Sequence, residues 1–230
     1  MNNALRRKLA LLWREILRTD PKDLFRDEFK KILPRHKYDK LPQPGFVGFE
    51  YEPGGLLFLG MNPGSAHATG GRGPRDEIFY QCLLDLLEVD DKYILEEFDK
   101  FNGYLLFCIN KWKLFNNYIK PALRRFETRL SSIAFLNILH WRTQSDVNPR
   151  RLYEINWNKY TRKQIEALQP GVIIVLGKNA AKWFKEKWAK ENVVPDVVVE
   201  YITRERNISK KERENEIKRI RRRLKRAGLI

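Results

Sequence analysis

The sequence predicts an α/β protein, a three-layer α/β/α sandwich around a mostly parallel central sheet of about four strands. Two observations lead to this prediction. Short apolar runs typical of buried strands alternate with longer stretches whose apolar residues recur at helical spacing. Several of these runs are bounded by Gly or Pro-Gly, where a strand would enter or leave a loop. In such a sheet, ligands are expected beyond the carboxyl ends of the strands.

The predicted elements begin with an amphipathic N-terminal helix. Leu5, Leu9 and Trp13 fall on one helical face, and the helix ends near Asp20-Pro21. An exposed connection at 34–44 then leads to a candidate edge strand at 46–49. The central strands are the four apolar runs at 56–59, 133–139, 172–176 and 197–203.

Helices are expected between and after these strands. They comprise a crossover helix capped by Asp76, two stretches within about 91–127, one helix from Pro149 to Leu168, one at Asn179–Lys190 and one from Ser209 to Arg226. The whole chain, 1–230, is therefore predicted to be a single domain. It carries an N-terminal helical extension at about 1–33 and a basic C-terminal helix at about 209–228.

The charge of the chain points to a polyanionic partner. Its 230 residues include 45 Lys and Arg against 29 Asp and Glu, a net charge of +16. DNA or RNA is the natural candidate. An acidic membrane surface would also attract this charge, but no apolar stretch approaches the roughly 20 residues that span a bilayer. The C-terminal helix is interpreted either as tracking phosphates or as a solvated face that packs through Ile217, Ile220 and Leu224.

The cysteines indicate a reducing environment. Cys82 and Cys108 are the only two, and both have apolar neighbours, which favours buried thiols over a disulfide. We therefore expect a soluble, monomeric, cytoplasmic protein, associated with the nucleoid if the source is prokaryotic. The three His and two Cys show no zinc-site spacing, so no metal or other cofactor is predicted.

A turn after the first central strand is the centre of the predicted functional site. It comprises Gly60-Met61-Asn62-Pro63-Gly64-Ser65, whose residues tolerate unusual backbone angles and expose amide donors, so a phosphate or a flipped base can approach closely. The alternative is an ordinary tight turn after a buried strand. A nucleotide-binding P-loop is rejected at Gly177-Lys178-Asn179, because the hydroxyl residue and the preceding spacing are missing.

Three segments resemble the uracil-DNA glycosylase superfamily. The run Leu57-Phe58-Leu59-Gly60-Met61-Asn62-Pro63-Gly64 resembles its first motif, especially in the single-strand-selective and mismatch-specific branches. Phe135-Leu136-Asn137 resembles the Asn of its second strand, and Leu168–Gly177 resembles a later strand with its following Gly. Together the matches span about 55–210. The resemblance implies a monofunctional glycosylase of base excision repair, which flips a deaminated base, with uracil as the expected one, and hydrolyses its bond to the sugar without metal.

The resemblance also implies residue roles. Asn62 would orient the attacking water, while the main chain of Gly60, Met61 and Ser65 would meet the flipped nucleotide. Because Asn cannot take a proton as Asp could, catalysis would be modest and would rest on binding the base and stabilising its negative charge. Asn137 would pair with the uracil edge, since one amide offers both a donor and an acceptor. A strand-end Asn that satisfies local backbone is the alternative.

Further side chains are candidates for contact with the base. Phe79 or Tyr80 would offer a plane for stacking, although the helical spacing of Phe79 and Leu83 equally favours a core position. His67 and His140 lie close enough in sequence to enter the site or to be structural.

The loop after the last strand departs from the family pattern. Where the family usually shows His-Pro-Ser or Asn-Pro-Ser, this chain has Arg206-Asn207-Ile208-Ser209, and no His follows His140. Arg204 or Arg206 would supply positive charge, and Ile208 an apolar wedge between bases. The predicted DNA contacts are Pro63, Gly64, Lys178, Arg204, Arg206, Asn207, Ile208 and Ser209. Two cysteines cannot hold the four-Cys iron–sulfur cluster of some branches.

Two other functions stay open at this point. The altered loop is also typical of a nucleic-acid-binding module that kept the fold and lost the chemistry. A glycosylase for hypoxanthine or xanthine, or an enzyme acting on RNA, would use the same kind of site.

Overall fold

A five-stranded sheet forms the centre of the protein, as a computed structural model shows. The structure describes residues 1–32, 41–63, 74–109, 114–123, 130–143, 149–191, 197–203, 208–226 and 228. The strands are β1 (Phe46–Val47), β2 (Leu56–Gly60), β3 (Ile133–Asn137), β4 (Val172–Leu176) and β5 (Val198–Ile202). Their spatial order is β1-β3-β2-β4-β5. The predicted α/β fold is confirmed, and the fifth strand is the candidate edge strand.

The sheet is parallel except at one edge. β2 pairs in parallel with both β3 and β4, and β4 pairs in parallel with β5. The short β1 runs antiparallel to β3. Every residue of β2, β3 and β4 is buried, so both faces of the sheet are covered. Strands in that position have no polar face, which explains their continuous apolar sequence.

Helices cover the sheet and connect its strands. They are α1 (Asn3–Arg18), α2 (Pro21–Phe25), α3 (Pro74–Glu88), α4 (Ile94–Ile109), α5 (Lys120–Leu123), α6 (Arg150–Asn156), α7 (Arg162–Leu168), α8 (Lys178–Glu191) and α9 (Lys210–Arg226). Within the described ranges, 3₁₀ segments cover Arg26–Lys31 and Leu130–Ser132, and π segments cover Phe115–Ile119 and Trp157–Thr161. The second π segment joins α6 to α7, so the helix predicted from Pro149 to Leu168 forms with one irregular turn.

The crossover helix begins earlier than predicted. Asp76 was expected as its N-cap, but α3 already begins at Pro74. Proline suits the first turn of a helix because its ring fixes φ near the helical value and its missing N–H would have no partner there. With Asp76 as N-cap the helix would begin at residue 77, so the prediction placed the helix start three residues late.

The two terminal helices belong to the core. On α1, the Trp13 ring is fully buried, and its Nε1 donates a hydrogen bond to Gly45 O at 3.2 Å. On α9, Ile220 and Leu224 are buried and join the same hydrophobic cluster. The predicted apolar stripe of α9 therefore packs on the domain. Its outward-facing charges are untested as phosphate contacts.

Two further predictions concern the cysteines and the apolar character of the helices. Cys82 is half-buried and Cys108 is buried, and both are free thiols. Among the described residues, no helix combines the length and the apolar character that crossing a bilayer requires.

Candidate active site

The connection order of the strands places a crevice at one edge of the sheet. From β2 the chain moves to β3 on one side, and later to β4 on the other side of β2. In open α/β sheets, ligands bind at such a reversal, beyond the carboxyl ends of the strands. The segments that follow β2, β3 and β4 meet at this edge.

Gly60 and Asn137 lie side by side at the ends of β2 and β3. They are register partners, and a methyl group at Gly60 would come within 2.5 Å of Asn137 Oδ1. Only glycine therefore leaves room for the Asn137 side chain in its present position. Asn137 is 5% exposed, and no hydrogen bond within the described part of the chain engages its side-chain amide. The alternative role for this residue, an amide that satisfies local backbone, has no such contact here.

Asn62 is held by a residue that sequence reasoning missed. Its Nδ2 donates to Thr143 Oγ1 at 3.1 Å, and the side chain is half-buried. The described residues make no hydrogen bond to Asn62 Oδ1, so this oxygen can accept one from water or substrate. Thr143 itself forms an antiparallel bridge with Ile32, just after the N-terminal 3₁₀ segment.

Backbone hydrogen bonds fasten this region beyond the strands. Ile138 N donates to Gly60 O at 2.8 Å, and Leu139 N donates to Met61 O at 2.9 Å. The parallel pairing of β2 and β3 thus continues for two residues, which brings Asn62 towards Thr143. The position of Asn62 is consequently set by the sheet.

The end of β4 closes the crevice on its other side. Gly177 has φ +119°, a left-handed region that favours glycine, and a methyl group there would lie 3.6 Å from Met61 Sδ. Lys178 follows as the exposed first residue of α8. The structure thus places Met61 beside the Gly177-Lys178 turn, as expected for two strand ends that flank a reversal.

Besides the crevice, a cavity of about 550 Å³ lies beyond β4, between β5 and α9. Lys178 and Ile208 both line it, together with Thr203 and Arg222. Two of the residues predicted to contact DNA therefore share one cavity wall. Within the described residues, Lys178 and Arg222 form no ion pair, so both can bind an anion.

Two carboxylates of α9 hold the ends of the loop after β5. Glu216 accepts hydrogen bonds from Thr203 N at 3.1 Å and Thr203 Oγ1 at 2.5 Å. Glu212 accepts one from Ser209 N at 2.8 Å, while Ser209 Oγ accepts one from Glu212 N at 3.2 Å. This reciprocal pair is a capping box, and hydrogen bonds from the Ser209 side chain and backbone lower the pKa of Glu212. Ser209 therefore has a structural role at the start of α9, and its predicted contact with DNA stays a prediction.

His140 belongs to a buried polar cluster behind β3. Gln164 Nε2 donates to Pro44 O at 3.0 Å, which leaves Gln164 Oε1 to accept from His140 Nε2 at 2.8 Å. Asn156 Nδ2 lies 3.4 Å from His140 Nδ1 and donates to Ile138 O at 2.8 Å. The imidazole is neutral with its proton on Nε2, because complete burial lowers its pKa to about 4. The structural interpretation of His140 accounts for these contacts.

Phe79 lies in an aromatic cluster formed by residues of α3 and α4. Its ring is partly buried, with its centroid 5.8 Å from that of Phe101 and 5.3 Å from that of Tyr80. The core interpretation predicts such contacts, and stacking on a flipped base stays a prediction. Tyr80 is 1% exposed.

Several predicted residues lie outside the described part of the chain: Gly64, Ser65, His67, Arg204, Arg206 and Asn207. Among the described ones, Gly60, Met61, Asn62 and Asn137 come together, while Lys178 and Ile208 line the cavity between β5 and α9. The Ser-x-x-Glu spacing at 209–212 would have predicted the capping box. Nothing in the sequence marks Thr143 or Glu216.

No protein-family model matches this chain, and no curated protein matches it with a significant score.

Proposed function

We propose that this protein is a monofunctional DNA glycosylase, which flips a deaminated base, with uracil as the expected one, and hydrolyses its bond to the sugar. The observation that best supports the proposal is the close approach of Asn137 to Gly60. Gly60 ends β2, and Asn62 follows it by two residues. These are the motif positions for which the resemblance to uracil-DNA glycosylases implies base binding and water orientation.

The free hydrogen-bonding groups suit this chemistry. Asn137 is 5% exposed, and its amide has no hydrogen-bond partner among the described residues, so both its donor and its acceptor are available to a ligand. Its Oδ1 can accept from the N3–H of uracil, and its Nδ2 can donate to an adjacent carbonyl. The hydrogen bond donated by Nδ2 strengthens as negative charge develops on the carbonyl oxygen of the departing base.

The proposed reaction is a single displacement by water. Asn62 Oδ1 accepts a hydrogen bond from water, and the Thr143 contact fixes the orientation of the carboxamide. The water oxygen bonds to C1′ of the sugar as the bond from C1′ to the base nitrogen breaks. The electron pair leaves with the base, and the proton of the water goes to solvent because a carboxamide cannot take it. The expected rate is therefore modest.

The test is release of free base from labelled oligonucleotides. Single- and double-stranded substrates with uracil, hypoxanthine or xanthine would be compared for the unmodified protein and for Asn62→Ala. We expect release that falls by about 10²-fold or more in the variant, because misplacing a reactant has costs of this order. Asn158→Ala changes an exposed Asn on the π segment and serves as the matched control.

The outcomes separate the alternatives. Release of hypoxanthine or xanthine but not uracil would assign the other deaminated base. Uracil-specific binding with no release from any substrate would show a binding module and overturn the enzyme proposal.

A further inference from the structure

A basic cavity lies between the N-terminal 3₁₀ segment and the start of α6. It has a volume of about 320 Å³ and is lined by Lys31, Arg150, Arg151 and Glu154. We propose that this cavity binds a backbone phosphate of the nucleic-acid strand, next to the nucleotide whose base is flipped. The identity of that nucleotide rests on the proposed function, whereas the phosphate site itself does not.

The cavity is connected to Asn62 by a short series of contacts. Lys31 is the last residue of the N-terminal 3₁₀ segment, and the next residue, Ile32, bridges to Thr143. Thr143 accepts the hydrogen bond from Asn62. The neighbouring Phe25 packs edge-on against Trp141 with ring centroids 5.3 Å apart. The N-terminal segment is thereby held beside the carboxyl end of β3, where it contributes a cation to the edge of the site.

The charges in the cavity favour a phosphate. Three cationic side chains, from two segments remote in sequence, line the cavity with Glu154, while Glu28 and Glu186 pair with Lys31 and Arg150 and leave Arg151 unpaired among the described residues. Arg151 forms no ion pair with any described residue, and it is exposed. Guanidinium groups bind phosphate through two parallel hydrogen bonds, which gives orientation as well as affinity.

The ion pairs at the cavity differ in how easily a phosphate could replace their carboxylate. Lys31 pairs with Glu28, and Arg150 lies 3.4 Å from Glu186 with side chains that are 66% and 45% exposed. The exposed Arg150–Glu186 pair contributes about 0–1 kcal/mol, so a phosphate can replace Glu186 at little cost.

The two cavities define a path across the sheet edge. Lys178 follows β4 on one side of β2, and on the other side the segment that follows β3 leads to Arg150 and Arg151 of the basic cavity. Asn62 follows β2, which lies between them. A strand that crosses this edge would thus have a phosphate on each side of the nucleotide that faces Asn62.

The first test measures how salt weakens binding to an undamaged, labelled single strand. Each lost phosphate contact reduces the slope of log affinity against log salt by about 0.7 for single strands. We expect this reduction for Arg151→Ala. Lys163→Ala is the matched control, because Lys163 is exposed on the same continuous helix, three turns further along. An equal loss in both variants, or none in Arg151→Ala, would overturn the proposal.

The second test locates the phosphate. Each strand in a series would carry one uracil and one uncharged methylphosphonate linkage, with the linkage at a different position in each strand. The affinity for each strand would be measured for Asn62→Ala protein with and without Arg151→Ala. We expect one linkage position at which Arg151→Ala no longer weakens binding, since the two changes remove the same contact. A constant effect of Arg151→Ala at every position would contradict a defined phosphate site.

These results are separable from the test of the proposed function. Absence of base release would overturn the glycosylase reaction while leaving the salt dependence on undamaged strands as evidence for the phosphate site. Base release combined with an unchanged slope of log affinity against log salt in Arg151→Ala would support the glycosylase reaction and overturn the phosphate site.

Discussion

Two asparagines near the end of β3 use their amides in opposite ways. Asn156 is fully buried, and its Nδ2 donates to Ile138 O and to Thr161 Oγ1 at 2.9 Å. Asn62 is half-buried and uses one donor, towards Thr143. Both amides leave Oδ1 without a partner among the described residues, but Asn156 Oδ1 is buried, whereas Asn62 is half-buried in the crevice. A candidate functional amide is therefore recognised by an unmade contact that a ligand can reach.

The largest expected effect is that of Asn137→Ala, which removes the site's second side-chain amide with an unused hydrogen-bonding group. We expect base release to fall by about 10²–10³-fold, since losing one preorganised donor to developing charge has this effect. The thermal midpoint should stay close to that of the unmodified protein, because the described contacts include no hydrogen bond to this amide. Base release and thermal unfolding would be measured together. An unchanged rate would place the base elsewhere.

Asn156→Ala should give the converse result. It removes the amide that joins Ile138 O, Thr161 and His140, so buried groups lose partners and a cavity forms. We expect the free energy of unfolding to fall by about 3 kcal/mol. Urea denaturation measures this change, and base release per folded molecule should be unaltered. A loss of release without loss of stability would erase the distinction between the two asparagines.

The buried cluster should also make stability depend on pH. Burial lowers the pKa of His140 to about 4 in the folded protein, against about 6.5 when unfolded. Protonation therefore favours the unfolded chain: the full stability is present above pH 6.5 and declines as pH falls towards 4. The expected loss from this residue is up to about 3 kcal/mol.

Denaturation of the unmodified protein and of His140→Gln across this pH range isolates the effect of the imidazole. The variant should show a shallower decline, leaving only the contribution of groups such as Glu212, whose pKa is also lowered. Parallel pH curves for the two proteins would refute the assignment of a buried neutral imidazole.

The smallest expected effect belongs to Thr143. Thr143→Val keeps the shape and removes the hydroxyl, and we expect base release to slow by about tenfold, the equivalent of one hydrogen bond of about 1.4 kcal/mol. Thr143→Ser should restore the rate. In the Asn62→Ala background, Thr143→Val should have no further effect, because Thr143 acts through Asn62. An undiminished effect there would assign Thr143 a purely structural role.

The sequence predicted the architecture better than the contacts within it. The strands β2, β3 and β4 were predictable because each is buried on both faces and therefore mostly apolar, as at Val172–Leu176. Motif spacing also placed Gly60 and Asn137 at strand ends. Thr143 was not predictable, since its contact with Asn62 depends on how the chain returns after β3. The start of α3 was misplaced because Asp76 and Pro74 are competing helix-start signals.

The π segment at Trp157–Thr161 fixes the number of residues that this region tolerates. Asn156 and Thr161, five positions apart, both contact Ile138 O because the π turn accommodates one residue more than an α turn. Deleting a single residue here would regularise the helix and rotate everything before it by about 100°. Arg151 would then leave its cavity, and Tyr153 would lose its ring contact with Trp183. Length variants that preserve the protein should therefore be confined to the loops on either side of this helix.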